Sequence, residues 1–500
     1  MNLSKEQQIA FQLYKEGYNV FITGPGGTGK SALIKQITKD AYLNNRLVYV
    51  TALTGCAAIL LNDSQYYCKV STIHSWAGIG LGVDPIPKIV AKIMKTQYLF
   101  FQWVRAHTLI IDEVSMMSLK LFQLLDVVGQ RVRRNSAPFG GLQLIFSGDF
   151  YQLPPVGDMD KPETRQFCFE CKEWNEIFRP DCQIQLCQMF RQTDPIYSTI
   201  LNQIREGVVK RSSHEVLMKC VNRSHDAGLF TEPTKLFPTR KKVDDINEIK
   251  LTELTGEMKR FSPVQETKLP ISKQDWEIRH QYQNRDIETE LQFILNNILC
   301  KTDLFVKVGA QVMCVVNMPA DKGVELCNGS QGIITGFCEA TGNPRVRWNI
   351  GIERVMNRHV WVSNKIPGIG ISHIPLILAW ALTIHKSQGS TLDAAEIDIG
   401  RGVFECGQSY VALSRVRSLS GLYLTALDVT KIKVNKRVKE FYGNLKSHHN
   451  VLLETQQFPY NLTILEDEKE EIKEEIKDDD AAYGNDSVSV NPFNDYRCDK

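Results

Sequence analysis

No apolar run in this chain is long enough to cross a bilayer, and the opening MNLSKEQQIAFQLYKEG is too polar for a secretory signal. The chain is therefore expected to stay in the compartment where it is made. It also lacks a disulfide framework: its 13 cysteines are scattered, as in reduced intracellular proteins. The one cluster, Cys168-x-x-Cys171 followed by Cys182 and Cys187, has no second tight pair and is interleaved with Phe167, Phe169 and Trp174. It reads as core, not as a zinc site. Internal repeats are missing too, and so is an overall charge, since the formal net charge is only +2. That near-neutrality hides an uneven distribution. From Glu466 onward there are 13 acidic and 5 basic residues, which leaves +10 on the preceding 465. A basic body fits a phosphate-rich partner, whereas the acidic end has too little apolar surface to fold on its own.

Five hundred residues with an ordinary 43% hydrophobic content exceed one compact core and predict several domains. Short apolar runs at 19–23, 47–51, 108–111 and 142–146, separated by helical patterns, predict buried parallel strands of a doubly wound α/β domain. A second series starts near Leu236 and resumes at 378–384 and 421–426. Between its two parts, residues 304–374 are rich in β-branched and aromatic residues broken by Asn328-Gly329, Thr341-Gly342 and Pro367-Gly368 turns, which predicts a small all-β insertion. A shorter excursion interrupts the first domain at about 77–106.

Gly24-Pro25-Gly26-Gly27-Thr28-Gly29-Lys30-Ser31 stands between the apolar run Val20-Phe21-Ile22-Thr23 and a helical pattern. This is the strand, loop and helix context of a nucleotide-phosphate cradle. Its backbone N–H groups, with the positive end of the following helix, would face the phosphates. Lys30 would hold the β and γ phosphates of ATP, and the Ser31 hydroxyl would hold Mg²⁺. Leu109-Ile110-Ile111-Asp112-Glu113 is a buried strand ending in two carboxylates: Asp112 is the expected metal residue and Glu113 the expected general base. Gln152, in Ser147-Gly148-Asp149-Phe150-Tyr151-Gln152, follows another buried strand and could reach the γ-phosphate or its attacking water.

The ordered set of motifs resembles the Pif family of 5′-to-3′ DNA helicases, in the RecD-like branch of superfamily one. The resemblance runs from about Leu3 to Asp428. It is carried by Leu3-Ser4-Lys5-Glu6-Gln7, Thr54-Gly55-Cys56-Ala57-Ala58, Thr72-Ile73-His74-Ser75-Trp76-Ala77-Gly78, the Asp-Glu strand and Pro138-Phe139-Gly140-Gly141. Phe190-Arg191-Gln192, Thr383-Ile384-His385-Lys386-Ser387-Gln388-Gly389 and Tyr410-Val411-Ala412-Leu413-Ser414-Arg415 continue it.

The resemblance implies two RecA-like domains (1–190, and 191–303 with 375–450), a wedge at about 77–106 and an SH3-like module at 304–374; the acidic composition sets off a tail at 451–500. It further implies that Gln7 contacts adenine and that Arg191 and Arg415 reach the γ-phosphate across the cleft. Thr54, His74, His385 and Lys386 match positions that hold the DNA strand. The implied partners are single-stranded DNA and forked or 5′-tailed duplexes. The acidic tail is expected to be a solvated appendage, with binding of replication or repair proteins, or shielding of the basic groove, as the alternative, and a monomer is expected at a site of DNA metabolism. Two rival expectations are a translocase subunit that needs a partner to unwind and an RNA-directed motor, since a phosphate-gripping channel accepts either polymer unless it excludes the 2′-hydroxyl.

Overall fold

The computed structural model describes residues 3–454 apart from 55–56, 59–60, 62–69, 81, 193, 226–229, 301–302, 317, 322–323, 327, 364–365 and 401. Of the acidic tail expected at 451–500, residues 451–454 end a helix and those from 455 onward lie outside the described residues, as does Cys56. Apart from the end of that helix, everything described below belongs to the unit that ends at Leu445.

Six parallel strands form the first sheet: β1 (Val20–Thr23), β2 (Val48–Ala52), β3 (Val70–Thr72), β4 (Thr108–Asp112), β5 (Gln143–Gly148) and β6 (Gln183–Gln185), in the order β3-β2-β4-β5-β1-β6. A strand covered on both faces needs apolar residues at successive positions, and side-chain alternation then divides them between two cores. Val20, Ile22, Ile110 and Ile145 meet the helices Lys5–Lys15 and Lys30–Leu43 on one face. Phe21, Leu109, Ile111, Leu144 and Phe146 meet the helix Leu119–Arg133 on the other. β3 and β6 were missing from the expected strands; each has only three residues, too few for a periodic signal.

The excursion at 77–106 is helical, with helices Ile86–Lys95 and Gln97–Arg105 laid against Leu119–Arg133. Trp103 anchors it, with its ring 4.6 Å from that of Trp76 and its indole N–H donated to the Ala77 carbonyl at 3.1 Å.

The second parallel sheet has four strands in the order Ala381–Thr383, Thr234–Phe237, Ala395–Ile399, Leu422–Leu427. Ala395–Ile399 was not expected as a strand, because Glu396 and Asp398 break its apolar run. Glu396 is accommodated by an ion pair to Lys235 at 3.1 Å and a contact with His225 Nε2 at 3.4 Å.

Residues 304–374 supply most of a five-stranded antiparallel sheet, ordered Glu353–Val355, Pro344–Trp348, Gln331–Phe337, Gln311–Cys314, Leu376–Leu378. The single strand expected at 378–384 is two strands. At Ala379 the chain still donates to Gln311, whereas the Trp380 carbonyl already accepts from Lys235, so the run changes sheets between adjacent residues. Earlier residues also join the β region: Lys259–Phe261 pairs with Leu304–Val306, and Val264–Glu266 with Gly370–His373. Their polar, three-residue sequences carry no strand signal.

One departure concerns residues 436–445, expected to go with the second sheet. They open the helix Lys436–Glu454, and Val438, Tyr442 and Leu445 are buried in the first sheet's core. Phe441 completes the attachment, stacked 4.5 Å from Phe169 and edge-on to Phe150 at 5.4 Å. Aromatic matching outweighs proximity in sequence.

A buried ion pair lies under this helix: Arg205 is fixed to Asp149 by contacts of 2.9, 3.0 and 3.2 Å, with side chains 3% and 0% exposed. Burial alone would lower the Arg205 pKa; the adjoining Asp149 carboxylate more than offsets that and raises it. Removing one member of such a pair strands the other charge. Arg205→Leu should therefore reduce stability by about 3–5 kcal/mol, measured as the shift in chemical unfolding of the ligand-free protein. A change below about 1 kcal/mol, the size expected of an exposed pair, would disprove the burial argument.

Candidate nucleotide and nucleic-acid site

The phosphate loop leaves β1 at Thr23 and enters the helix at Lys30. The helix N-cap, Gly29, is left-handed and provides no side-chain cap, so the first amides are free for an anion. Gly27 has φ +90°, and a β-carbon there would come within 2.5 Å of the Arg191 Cβ, so glycine is required both for conformation and for space. The Lys30 ammonium donates to the carbonyls of Gly24 at 2.7 Å and Pro25 at 3.1 Å, and the Thr28 hydroxyl also donates to Pro25. Pro25 thus serves as an acceptor, a role its missing N–H does not impair. Burial lowers the Lys30 pKa against the opposing pull of Asp149, Glu113 and Asp112. Ser31 is exposed at the first turn of the helix.

β4 delivers Asp112 and Glu113 two strands away, with β5 between them and β1. Glu113 has φ +56°, an uncommon conformation for a residue with a β-carbon. Burial, then repulsion from Asp112, raises its pKa to about 7, partly opposed by Lys30, Arg415 and Gln388. Burial raises Asp112 as well. Two adjacent desolvated carboxylates form an oxygen-rich, electron-rich pair that suits a hard divalent cation. Gln152 is 6% exposed, and its backbone N–H is tied to the Asp149 carbonyl at 2.8 Å.

Two guanidinium groups also lie beside this loop. A β-carbon built on Gly26 would lie 3.6 Å from Nη2 of Arg415 and 3.7 Å from Nη1 of Arg191. Arg415 is held by Val411, Ser390 and Ser414, whereas Nη1 of Arg191 is buried with no hydrogen-bond partner. Burial and the neighbouring Arg191 lower the Arg415 pKa to about 9; burial lowers Arg191 too. Glu113 attracts both guanidiniums but does not offset the desolvation that lowers them.

Gln7 borders the loop but is already engaged: its amide donates to the Thr28 and Gly29 carbonyls and accepts from Ser4 N in a capping box. Thr54 caps a short turn by accepting from Ala57 N, and His74 lies in the helix Ile73–Ala77 with its pKa lowered by burial. Both follow register partners, Ala52 and Thr72, at the carboxyl end of neighbouring strands. His385 and Lys386 follow Thr383 at the carboxyl end of the second sheet's edge strand. The four strand-contact candidates thus fall two to each sheet, separate from the phosphate loop.

Several site residues had no assigned part in the sequence reading. Gln388 donates to a Glu113 carboxylate oxygen at 3.0 Å. The Tyr410 hydroxyl accepts from Gly26 N at 3.0 Å, and Gln192 reaches the Ser414 carbonyl at 3.4 Å. Gln388, Tyr410 and Gln192 stand inside motifs already quoted, so only their partners were hidden. Arg205 and Tyr442 carry no local signal at all. Cys168, Cys171 and Cys182 are buried and Cys187 is exposed; among the described residues no group of three or more potential ligands gathers around a metal position.

The PIF1-like helicase family matches residues 2–215, and the DNA helicase Pif1 2B domain matches residues 291–337. The ATP-dependent DNA helicase PIF1 of Danio rerio is 36% identical over 448 residues; the alignment covers 89% of this chain and 64% of that protein. The chain thus spans under two thirds of that relative. Among solved structures, Pif1 helicase from Candida albicans is 33% identical with a TM-score of 0.67, covering 89% of this chain and 100% of that one. Pif1 from Bacteroides in complex with ADP-AlF3 and single-stranded DNA is 28% identical with a TM-score of 0.59, covering 89% and 98%. With the two parallel sheets and the phosphate loop between them, these matches establish that the chain belongs to the PIF1-like helicase family.

Proposed function

We propose that the chain is an ATP-dependent DNA helicase that moves 5′ to 3′ on single-stranded DNA and separates duplexes in DNA replication, repair or recombination. The observation that carries this reading is the convergence of Arg191 and Arg415 on Gly26, opposite Lys30. Such a cluster calls for a polyanion, and its cations come from both sides of a cleft. Relatives named as ATP-dependent DNA helicases, and a structural neighbour solved with a nucleotide analogue and single-stranded DNA, supply the ligand classes.

In this reading Lys30 and the loop amides hold the β and γ phosphates, and Gln7 borders adenine. Ser31 and Asp112 would hold Mg²⁺, which neutralises phosphate charge when bound. Glu113 takes the proton of the attacking water, oriented with help from Gln152. Arg191 and Arg415 neutralise charge on the transferred phosphoryl group when the cleft is shut, so turnover reports closure. Thr54 and His74 on one sheet, with His385 and Lys386 on the other, grip the strand, and closing the cleft shortens the distance between the two grips. No described helix is long and apolar enough to cross a membrane.

Arg191→Met separates this role from ordinary packing. It should lower DNA-stimulated ATP turnover by about a thousandfold, and the ligand-free protein should melt no lower than the parent, because an unpartnered buried charge is removed. A lower melting temperature with intact turnover would assign Arg191 to packing instead.

Direction tests the larger proposal. With ATP and Mg²⁺ the protein should unwind a duplex bearing a 5′ single-stranded overhang and leave blunt and 3′-tailed duplexes largely intact; Lys30→Ala should unwind none. Glu113→Gln should bind ATP without turning it over. Unwinding from a 3′ tail alone would overturn the assignment. Turnover without strand separation would point to the translocase subunit, and stimulation by RNA but not DNA to the RNA-directed motor.

A further inference from the structure

We propose that Tyr442, on the helix Lys436–Glu454 and outside every phosphate-binding segment, is a positioning residue for nucleotide hydrolysis: its hydroxyl fixes the residue before the phosphate loop to the segment that carries Gln152. The proposal rests on the ATPase reading above and adds a residue to it.

The geometry is specific. The Tyr442 hydroxyl is 2.5 Å from the Thr23 hydroxyl, accepts from Phe150 N at 3.1 Å and lies 3.3 Å from the Asp149 carboxylate. Thr23 is the last residue of β1, and Gly24 opens the phosphate loop immediately after it. Asp149 and Phe150 follow β5 and lead to Gln152. The parallel ladder between β1 and β5 ends at the pair Thr23 and Gly148. Beyond that pair the strands give way to the two loops, and no ladder hydrogen bond holds one to the other. Tyr442 ties Thr23, on that last rung, to Asp149 and Phe150, one and two residues past it, from a position 419 residues away from Thr23 in sequence.

Phenylalanine would satisfy the packing. The ring is 1% exposed, lies 4.6 Å from that of Tyr151 at an interplanar angle of 17°, and has the Arg205 guanidinium 4.9 Å from its centroid. None of these contacts needs the oxygen. Without it, the buried Phe150 N–H loses its acceptor and Thr23 loses its partner. Both loops then relax away from the spacing that sets the phosphates against Gln152. Apolar side chains of the helix attach it to the core; the hydroxyl sets the spacing of the loops.

The test uses the full chain and five variants, measuring single-strand-stimulated ATP turnover, KM for ATP and melting temperature. Tyr442→Phe should lower kcat about tenfold, the effect of roughly one misplaced buried hydrogen bond, with KM changed less than about twofold. Thr23→Val removes the same bond from its other side and should do likewise. The double variant should be little worse than either single one, because the two hydroxyls act as a pair. Phe441→Leu, on the same helix but without a polar role, should lower the melting temperature and leave kcat within about twofold of the parent. Normal kcat in Tyr442→Phe or in Thr23→Val, assayed below the melting transition, overturns the proposal whatever happens to stability. If Tyr442→Phe does not fold, Thr23→Val decides alone. Lys30→Ala separates the two levels of inference. Parent turnover that does not depend on Lys30 overturns the ATPase reading and this proposal together, whereas Lys30-dependent turnover with normal Tyr442→Phe kinetics overturns only the role of Tyr442.

Discussion

Lys30, Arg191 and Arg415 are brought to one short loop although none of them can neutralise another. Desolvation works against each of the three cations, and the two guanidiniums repel one another, which is why burial lowers all three pKa values. Such an arrangement persists only if the surrounding structure is stable enough to hold it and if a ligand relieves it. The Arg205 and Asp149 pair, fully buried and mutually satisfied, is the balanced counterpart beneath the site. It ties the segment after β5 to the helix Pro195–Glu206, which follows directly on Arg191 and Gln192. The helix that follows Arg191 is thus anchored to the first sheet by a salt bridge that lies outside the phosphate loop.

The two sheets have a division of labour that follows from parallel topology. Loops at the carboxyl ends of parallel strands face the same edge, so the residues that these loops carry sit where a crevice can form. β1, β5 and β4 place Lys30, Gln152 and the Asp112 and Glu113 pair side by side. β2 and β3 place Thr54 and His74 farther along the same edge. In the second sheet the turn after Thr383 carries His385 and Lys386, and three residues on it also carries Gln388, whose amide rests on Glu113. A residue proposed to grip the strand and one bonded to Glu113 thus share one short turn.

The phosphate loop, β1, β2, β4 and β5 were legible because each combines an apolar run with chemistry at its end, and local sequence suffices to specify both. Three-residue strands such as Val70–Thr72 and Lys259–Phe261 were not legible, since their pairing is decided by neighbours distant in sequence. Ala395–Ile399 was hidden by carboxylates that are tolerable only because Lys235 and His225 meet Glu396 in space. The run at 378–384 looked uniform in composition, yet it switches partner sheets at Ala379 and Trp380, a fact set by hydrogen bonding and not by hydropathy. Motif residues were legible as positions, while the bonds from Gln388 to Glu113 and from Gly26 to Tyr410 were not, because each joins residues more than 270 apart.

Tyr442 shows the limit of motif reading most clearly. Its neighbours Val438, Phe441 and Leu445 lie at helical spacing, and that periodicity announces an apolar face without naming the surface it covers. The surface proves to be the aromatic core of the first sheet, where Phe21, Phe150 and Phe169 surround Phe441. Once the helix is seated there by apolar contacts, a single hydroxyl reaches both the end of β1 and the start of the loop after β5. The energy of attachment and the precision of the site come from different atoms of the same helix, and only the first of these leaves a trace in hydropathy.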